Sequence, residues 1–244
     1  MRRKAVFLAL LVALVVPASV SSATTLNVFA AASLTQVFPR IDKSERYSFA
    51  GSDQLALQIR QGAPADVFAS ASPKYTELAY RDGFVQKPLV FATNKLIVLV
   101  PRSNPAGIKT VYDLRRSGLK VVIGDKSVPI GTYTRQILDT LGITTDVMSN
   151  VVSQETDVKG IVTKVALGEA DAGFVYRTDA KSVAAQTRSV ALPDWAQPPV
   201  RYEVAVVKES AHPAAARAYI KKVISKRGRR LLAAAGFGLP KLRK

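Results

Sequence analysis

Short apolar runs alternate with longer stretches of helical spacing along most of the chain. Runs at 26–31, 47–50, 66–69, 95–100, 120–123, 149–152, 173–176 and 202–207 read as strands. Most are separated by about ten to fifteen residues in which apolar positions recur every three to four, the spacing of an amphipathic helix. The alternation predicts an α/β chain of strand–helix units around mostly parallel sheets. Asp, Gly and Ser at the strand ends reinforce the boundaries.

Two of the runs divide the chain. The strand at 95–100 is followed by Pro101 and a polar loop at 102–107, and the strand at 202–207 follows Pro198 and Pro199. Both read as crossings between two lobes, one at 24–98 plus 203–244 and the other at 99–202. The C-terminal segment opens a helix at Pro213, runs to Ser225, resumes at Gly228 and stops at Gly236. It is expected to pack on the first lobe and close it.

Residues 1–23 follow a different pattern. Arg2, Arg3 and Lys4 precede an apolar run at 5–16, and Ser21 and Ala23 fit a small-residue cleavage pattern. Twelve apolar residues fall short of the roughly 20 that span a bilayer, so the segment reads as a secretory leader cleaved near Ala23. The mature product would be soluble and periplasmic or secreted. With no cysteine, disulfides, thiolate metal sites, a cysteine nucleophile and a lipid-attachment cysteine are all excluded.

The formal net charge of +17 falls to +14 once the three leader cations are set aside, a field that attracts anions. Nucleic acid is the usual partner of a basic chain. Here the cations are scattered, without aromatic interleaving, and the densest cluster at 221–230 reads as the solvated face of a helix. No nucleic-acid role is expected.

Catalytic groups are nearly missing from the pattern. His212, the one histidine, directly precedes Pro213 at a helix start. Asp66, Asp125, Glu169 and Asp171 fall at strand ends or in loops without the paired spacing of acid–base work. Glu155 and Asp157 are expected to cap the following helix rather than hold a metal. A secreted hydrolase or phosphatase would need a base or metal near Ser33, and the neighbouring sequence offers neither.

What recurs instead is a strand that ends in a small or hydroxyl-bearing residue just before a helix. This happens at Ser33, at Ser52, at Gly131 and Thr132, and at Thr156 and Asp157. A helix start exposes unpaired N–H groups and about half a positive charge, so several converging on one cleft hold an anion without a charged side chain. Two of these starts come from each expected lobe, and strand carboxyl ends face the cleft in open α/β sheets.

The same segments carry a family resemblance. Phe-Ala-Ala-Ala-Ser-Leu-Thr at 29–35, Phe-Ala-Gly-Ser-Asp-Gln-Leu-Ala at 49–56, Gln-Gly-Ala-Pro-Ala-Asp-Val-Phe at 61–68, Gly-Asp-Lys-Ser-Val-Pro-Ile-Gly at 124–131 and Gly-Phe-Val-Tyr-Arg-Thr-Asp-Ala at 173–180 resemble the periplasmic molybdate-binding proteins that feed ABC importers. The resemblance covers nearly the whole mature chain. It implies a type II periplasmic binding fold with two lobes and a hinge, and an oxyanion, molybdate or tungstate, held between them. It also implies a membrane permease as partner, a monomer, no enzymatic activity and no cofactor. Carried over by motif, Ser33 and Ser52 would donate hydroxyl and backbone hydrogen bonds, Ile130 and Val158 backbone N–H groups, and Tyr176 its phenol. Molybdenum or tungsten would enter only as the oxyanion, through these residues. The same fold with sulfate, phosphate or an organic acid is the alternative. One position departs from the pattern: Asp53 stands where many relatives carry a serine or small residue. Its carboxylate is expected to favour the helix start and to point away from the ligand.

Overall fold

The computed structural model describes residues 24–241, so the leader at 1–23 lies outside the described residues. The first part of the chain runs β1 (Asn27–Ala31), α1 (Phe38–Ile41), β2 (Arg46–Ala50), α2 (Ser52–Arg60), β3 (Val67–Ser70), α3 (Pro73–Arg81) and β4 (Leu89–Asn94). The middle part runs β5 (Leu96–Pro101), β6 (Val121–Gly124), α4 (Pro129–Leu141), α5 (Thr144–Ser149), β7 (Val151–Glu155), α6 (Val158–Ala166), β8 (Ala172–Tyr176), α7 (Arg177–Ser182) and β9 (Thr187–Ala191). The chain then returns through β10 (Val200–Val206), α8 (Pro213–Ile224) and α9 (Lys226–Ala235).

The strands form two five-stranded sheets, in the orders β2-β1-β3-β10-β4 and β7-β6-β8-β5-β9. β1 pairs in parallel with β2 and β3, and β6 with β7 and β8. β10 and β5 each run antiparallel to both neighbours. The expectation of mostly parallel sheets holds in strand direction: four of the five strands in each sheet point one way, and β10 in the first sheet and β5 in the second run against them. The reason is connectivity, because the strand that enters or leaves a lobe comes from the hinge side and not from a helix crossing over the sheet. The strand pattern also lacked β4 and β9. β9 reads Thr-Arg-Ser-Val-Ala and buries only Thr187 and Val190, so it carries too little apolar signal.

β5 lies wholly in the second sheet and β10 wholly in the first, so residues 98 and 202 fall inside strands rather than between the sheets. The chain passes between sheets at Lys95 and again through 192–199. Gln197 ties the two passages together: its amide accepts the Leu96 N–H at 3.0 Å and donates to the Leu96 carbonyl at 2.8 Å. Each connection is short and hydrogen-bonded to the other, as a hinge requires.

Position in the sheet decides the burial pattern. β5 and β8 are central and buried along their whole length, which demands the continuous runs Leu-Ile-Val-Leu-Val-Pro and Ala-Gly-Phe-Val-Tyr. β2 and β7 sit at edges and alternate. The C-terminal helices close the first lobe: Phe237 packs on Tyr202 with ring centroids 5.3 Å apart and Tyr219 on Phe38 at 6.1 Å. Gly236, at φ 102°, ends α9 in the left-handed region that glycine adopts without strain.

Candidate functional site

The carboxyl ends of β1, β2, β6, β7 and β8 meet between the two sheets, and the turns that follow them enclose one cavity. Ser33, Ser52, Ile130, Val158 and Tyr176 all line it. Its empty space is about 210 Å³ with the open mouth included. That is below the roughly 300–1,000 Å³ of sites for drug-sized ligands, so a large organic molecule does not fit.

Ser52 is the first residue of α2 and is buried. Its hydroxyl oxygen accepts the Ala71 N–H at 3.0 Å, which leaves its own proton free to be donated into the cavity. Ile130 carries the first N–H of α4, since Pro129 has none, and no acceptor exists within the helix for it. Val158 opens α6. The Asp157 side chain caps that helix by accepting from Lys159 N–H at 2.6 Å and Gly160 N–H at 3.3 Å, so the Val158 N–H is left to the cavity. Glu155, expected to share the capping, instead pairs with Lys164 at 2.8 Å and accepts the Ser153 hydroxyl.

Ser33 departs from the expectation of a helix start. It sits in a three-residue 3-10 turn at Ala32–Leu34, and α-helix begins only at Phe38. Pro39 accounts for the break: in a continuous helix its ring would collide with the carbonyl of Thr35. Helix-terminal charge therefore comes from α2, α4 and α6. What orients Ser33 is Tyr202, whose hydroxyl lies 2.8 Å from the Ser33 oxygen. Asn94 donates to the Tyr202 hydroxyl at 3.4 Å, so Tyr202 can give its proton to Ser33 and leave the Ser33 proton for the cavity. Tyr202 and Asn94 were not singled out from sequence. The signal is missing there because the contact joins residues 169 positions apart.

Tyr176 is fully buried at the end of β8, and its hydroxyl has no hydrogen-bond partner among the described residues. Burial pushes its phenol well above the usual range, with Tyr202 and Tyr133 acting in the same direction, so it stays protonated and can only donate or accept as a neutral group. Behind it lies Asp179, whose carboxyl is raised by burial and drawn back by Lys159, 2.7 Å away. Lys159, Arg40 and Lys181 also line a second, wider cavity that adjoins the first at Ser33. Cations scattered in the sequence thus gather beside the site, where their field favours an anion.

Asp53 occupies the first turn of α2 and is not among the residues lining the cavity. One carboxylate oxygen lies 2.8 Å from the Ser127 hydroxyl of the other lobe. His212 stands at the start of α8, exposed and away from the cavity.

The cavity thus presents neutral donors: two serine hydroxyls, a phenol and the N–H groups of three helix starts. Asp157 is the one carboxylate in its lining, and two N–H groups hold it. Ser33 is paired with a phenol, which is no base for activating a nucleophile. The arrangement suits capture of a small, fully deprotonated anion, because a protonated oxygen would meet a donor with nothing to accept.

Residues 26–238 match the family described as bacterial extracellular solute-binding protein. The chain is 40% identical over 228 residues to the molybdate-binding protein ModA of Mycobacterium tuberculosis, covering 89% of this chain and 86% of that one. Among solved structures it is similar to the Azotobacter vinelandii periplasmic molybdate-binding protein, with a TM-score of 0.79 at 23% identity over 88% of this chain and 100% of the other. The sulfate-binding protein SubI of Mycobacterium tuberculosis has the same fold, with a TM-score of 0.75 at 18% identity over 89% and 88% of the two chains. Fold alone therefore does not choose the anion. The match across nearly all described residues, with the five cavity-lining residues inside it, places this chain in the bacterial extracellular solute-binding protein family, to which it belongs.

Proposed function

We propose that the protein captures molybdate or tungstate between its lobes and delivers it to the permease of an ABC importer, with no bond made or broken. The carrying observation is the buried Tyr176 hydroxyl, which has no partner among the described residues and lines a cavity of neutral donors. An unpaired buried hydroxyl costs about 1–3 kcal/mol, and an oxyanion oxygen would relieve that cost. The molybdate-binding relative at 40% identity supports the choice of anion. In this reading Ser33, Ser52, Ile130, Val158 and Tyr176 all donate, and the metal is present only inside the cargo. The protein works as a monomer without a cofactor, in the periplasm or secreted, after its leader is cleaved near Ala23.

A thermal-shift series on the mature protein tests this. Molybdate and tungstate at about 100 times the dissociation constant should each add roughly 2.7 kcal/mol of stability. Sulfate and phosphate at equal concentration should do little. Equal shifts from all four anions would refute the selectivity, and a shift from none would refute the ligand class.

Ser33→Ala and Ser52→Ala should each weaken molybdate binding about ten- to a hundredfold, since a hydrogen bond to a charged group is worth about 1.5–3 kcal/mol. Calorimetric titration checks this. Wild-type affinity in both variants would place the site elsewhere.

A further inference from the structure

The rim of the cleft carries contacts between the lobes that ligand capture does not explain. The chain passes between lobes beside β4, β5, β9 and β10, whereas Asp53 follows β2, Tyr75 follows β3 and Ser127 follows β6. The Ser127 hydroxyl lies 2.8 Å from one Asp53 oxygen, and the Tyr75 hydroxyl donates to the Ser127 carbonyl. Two side chains of the first lobe therefore grip one residue of the second.

The Ser127 hydroxyl lies between two acceptors. Ser127 oxygen is also 2.9 Å from an oxygen of Asp125, yet a hydroxyl has one proton and serves one of the two carboxylates. That Asp125 oxygen already accepts the Ser127 backbone N–H at 2.9 Å. Asp125 is therefore already tied to Ser127 without the hydroxyl, and the hydroxyl proton joins the two lobes when it is given to Asp53. The other Asp53 oxygen is buried without a partner and tucked over Gly51, where an added Cβ would come within 2.6 Å both of it and of the Thr156 carbonyl across the cleft. A carboxylate serving only the helix start would stay in water and avoid this desolvation cost. Asp53 is held inward instead, at a point where glycine lets the two lobes' backbones approach.

We infer that Asp53, Tyr75 and Ser127 form a latch across the cleft rim that holds the cleft closed and sets the rate at which the bound oxyanion leaves. It rests on the functional reading above for the identity of the cargo, but not for the closure itself. Asp53 is a positioning residue in this scheme: it touches the other lobe and not the anion.

The chain has no cysteine, so spin labels placed on exposed Leu57 and Leu167 by L57C and L167C report the lobe separation directly. In ligand-free protein, Asp53→Ala and Ser127→Ala should shift the separation toward longer distances. In protein loaded with radiolabelled molybdate and chased with unlabelled molybdate, both should speed release about five- to thirtyfold and leave the association rate within about twofold. Asp53→Asn should keep the wild-type separation and release rate, because its amide can donate to the Ser127 oxygen while Ser127 donates to Asp125. Unchanged separations in Asp53→Ala and Ser127→Ala would overturn the latch, as would an Asp53→Asn variant that opens as far as Asp53→Ala. Failure of the wild type to bind molybdate would refute the cargo, and the label separations would still decide the latch.

Discussion

Tyr176→Phe is expected to lower molybdate affinity about ten- to a hundredfold while raising the stability of the ligand-free protein by about 1 kcal/mol. The two effects share one cause. The hydroxyl is buried and has no partner among the described residues, so folding desolvates it without return until an anion accepts its hydrogen bond. Phenylalanine keeps the ring, which stacks edge-on against Tyr202 at 5.9 Å, and removes only the oxygen. For a chain of this size 1 kcal/mol corresponds to about 2–4 °C in Tm. Calorimetric titration and ligand-free melting curves measure the two halves separately. A lower Tm with unchanged affinity would mean that Tyr176 is a packing residue and that the anion sits elsewhere.

Gly131→Ala should be more damaging to both properties. A Cβ there would lie 1.9 Å from the Asp125 carbonyl oxygen and 2.3 Å from that of Gly124, both backbone atoms that cannot rotate away. The start of α4 would have to lift off β6, and the Ile130 N–H would move with it. Overpacking of this kind costs about 1–3 kcal/mol or more, and we expect a Tm lower by about 5 °C or more with molybdate affinity down at least tenfold. Gly142→Ala provides the contrast. Gly142 ends the same helix at φ 68° with open space around its Cβ position, so alanine there adds left-handed strain without touching the site. It should destabilise by about 1 kcal/mol and leave affinity unchanged. Similar affinity losses in the two variants would show that the position of α4 at Gly131 does not matter to binding.

Several features were legible in the chain because their causes are local. The helix starts read at Ser52, at Gly131 and Thr132, and at Thr156 and Asp157 lie within three residues of the observed starts of α2, α4 and α6, because a strand-ending run, a small or capping residue and an amphipathic stretch fall within a few positions. The α/β class and the C-terminal helix pair follow in the same way. Family motifs then singled out Ile130, Val158 and Tyr176, which spacing by itself did not mark. Only the tertiary structure made each sheet mixed, since strand direction depends on which side of the sheet the chain re-enters. It alone turned Ser33 toward Tyr202 and Asp53 toward Ser127, pairs separated by 169 and 74 residues. Sequence determined where backbone donors would be exposed, because helix termini are written in neighbouring residues. Structure decided what those donors face, because two lobes that meet across a hinge bring together groups that no short stretch of sequence relates.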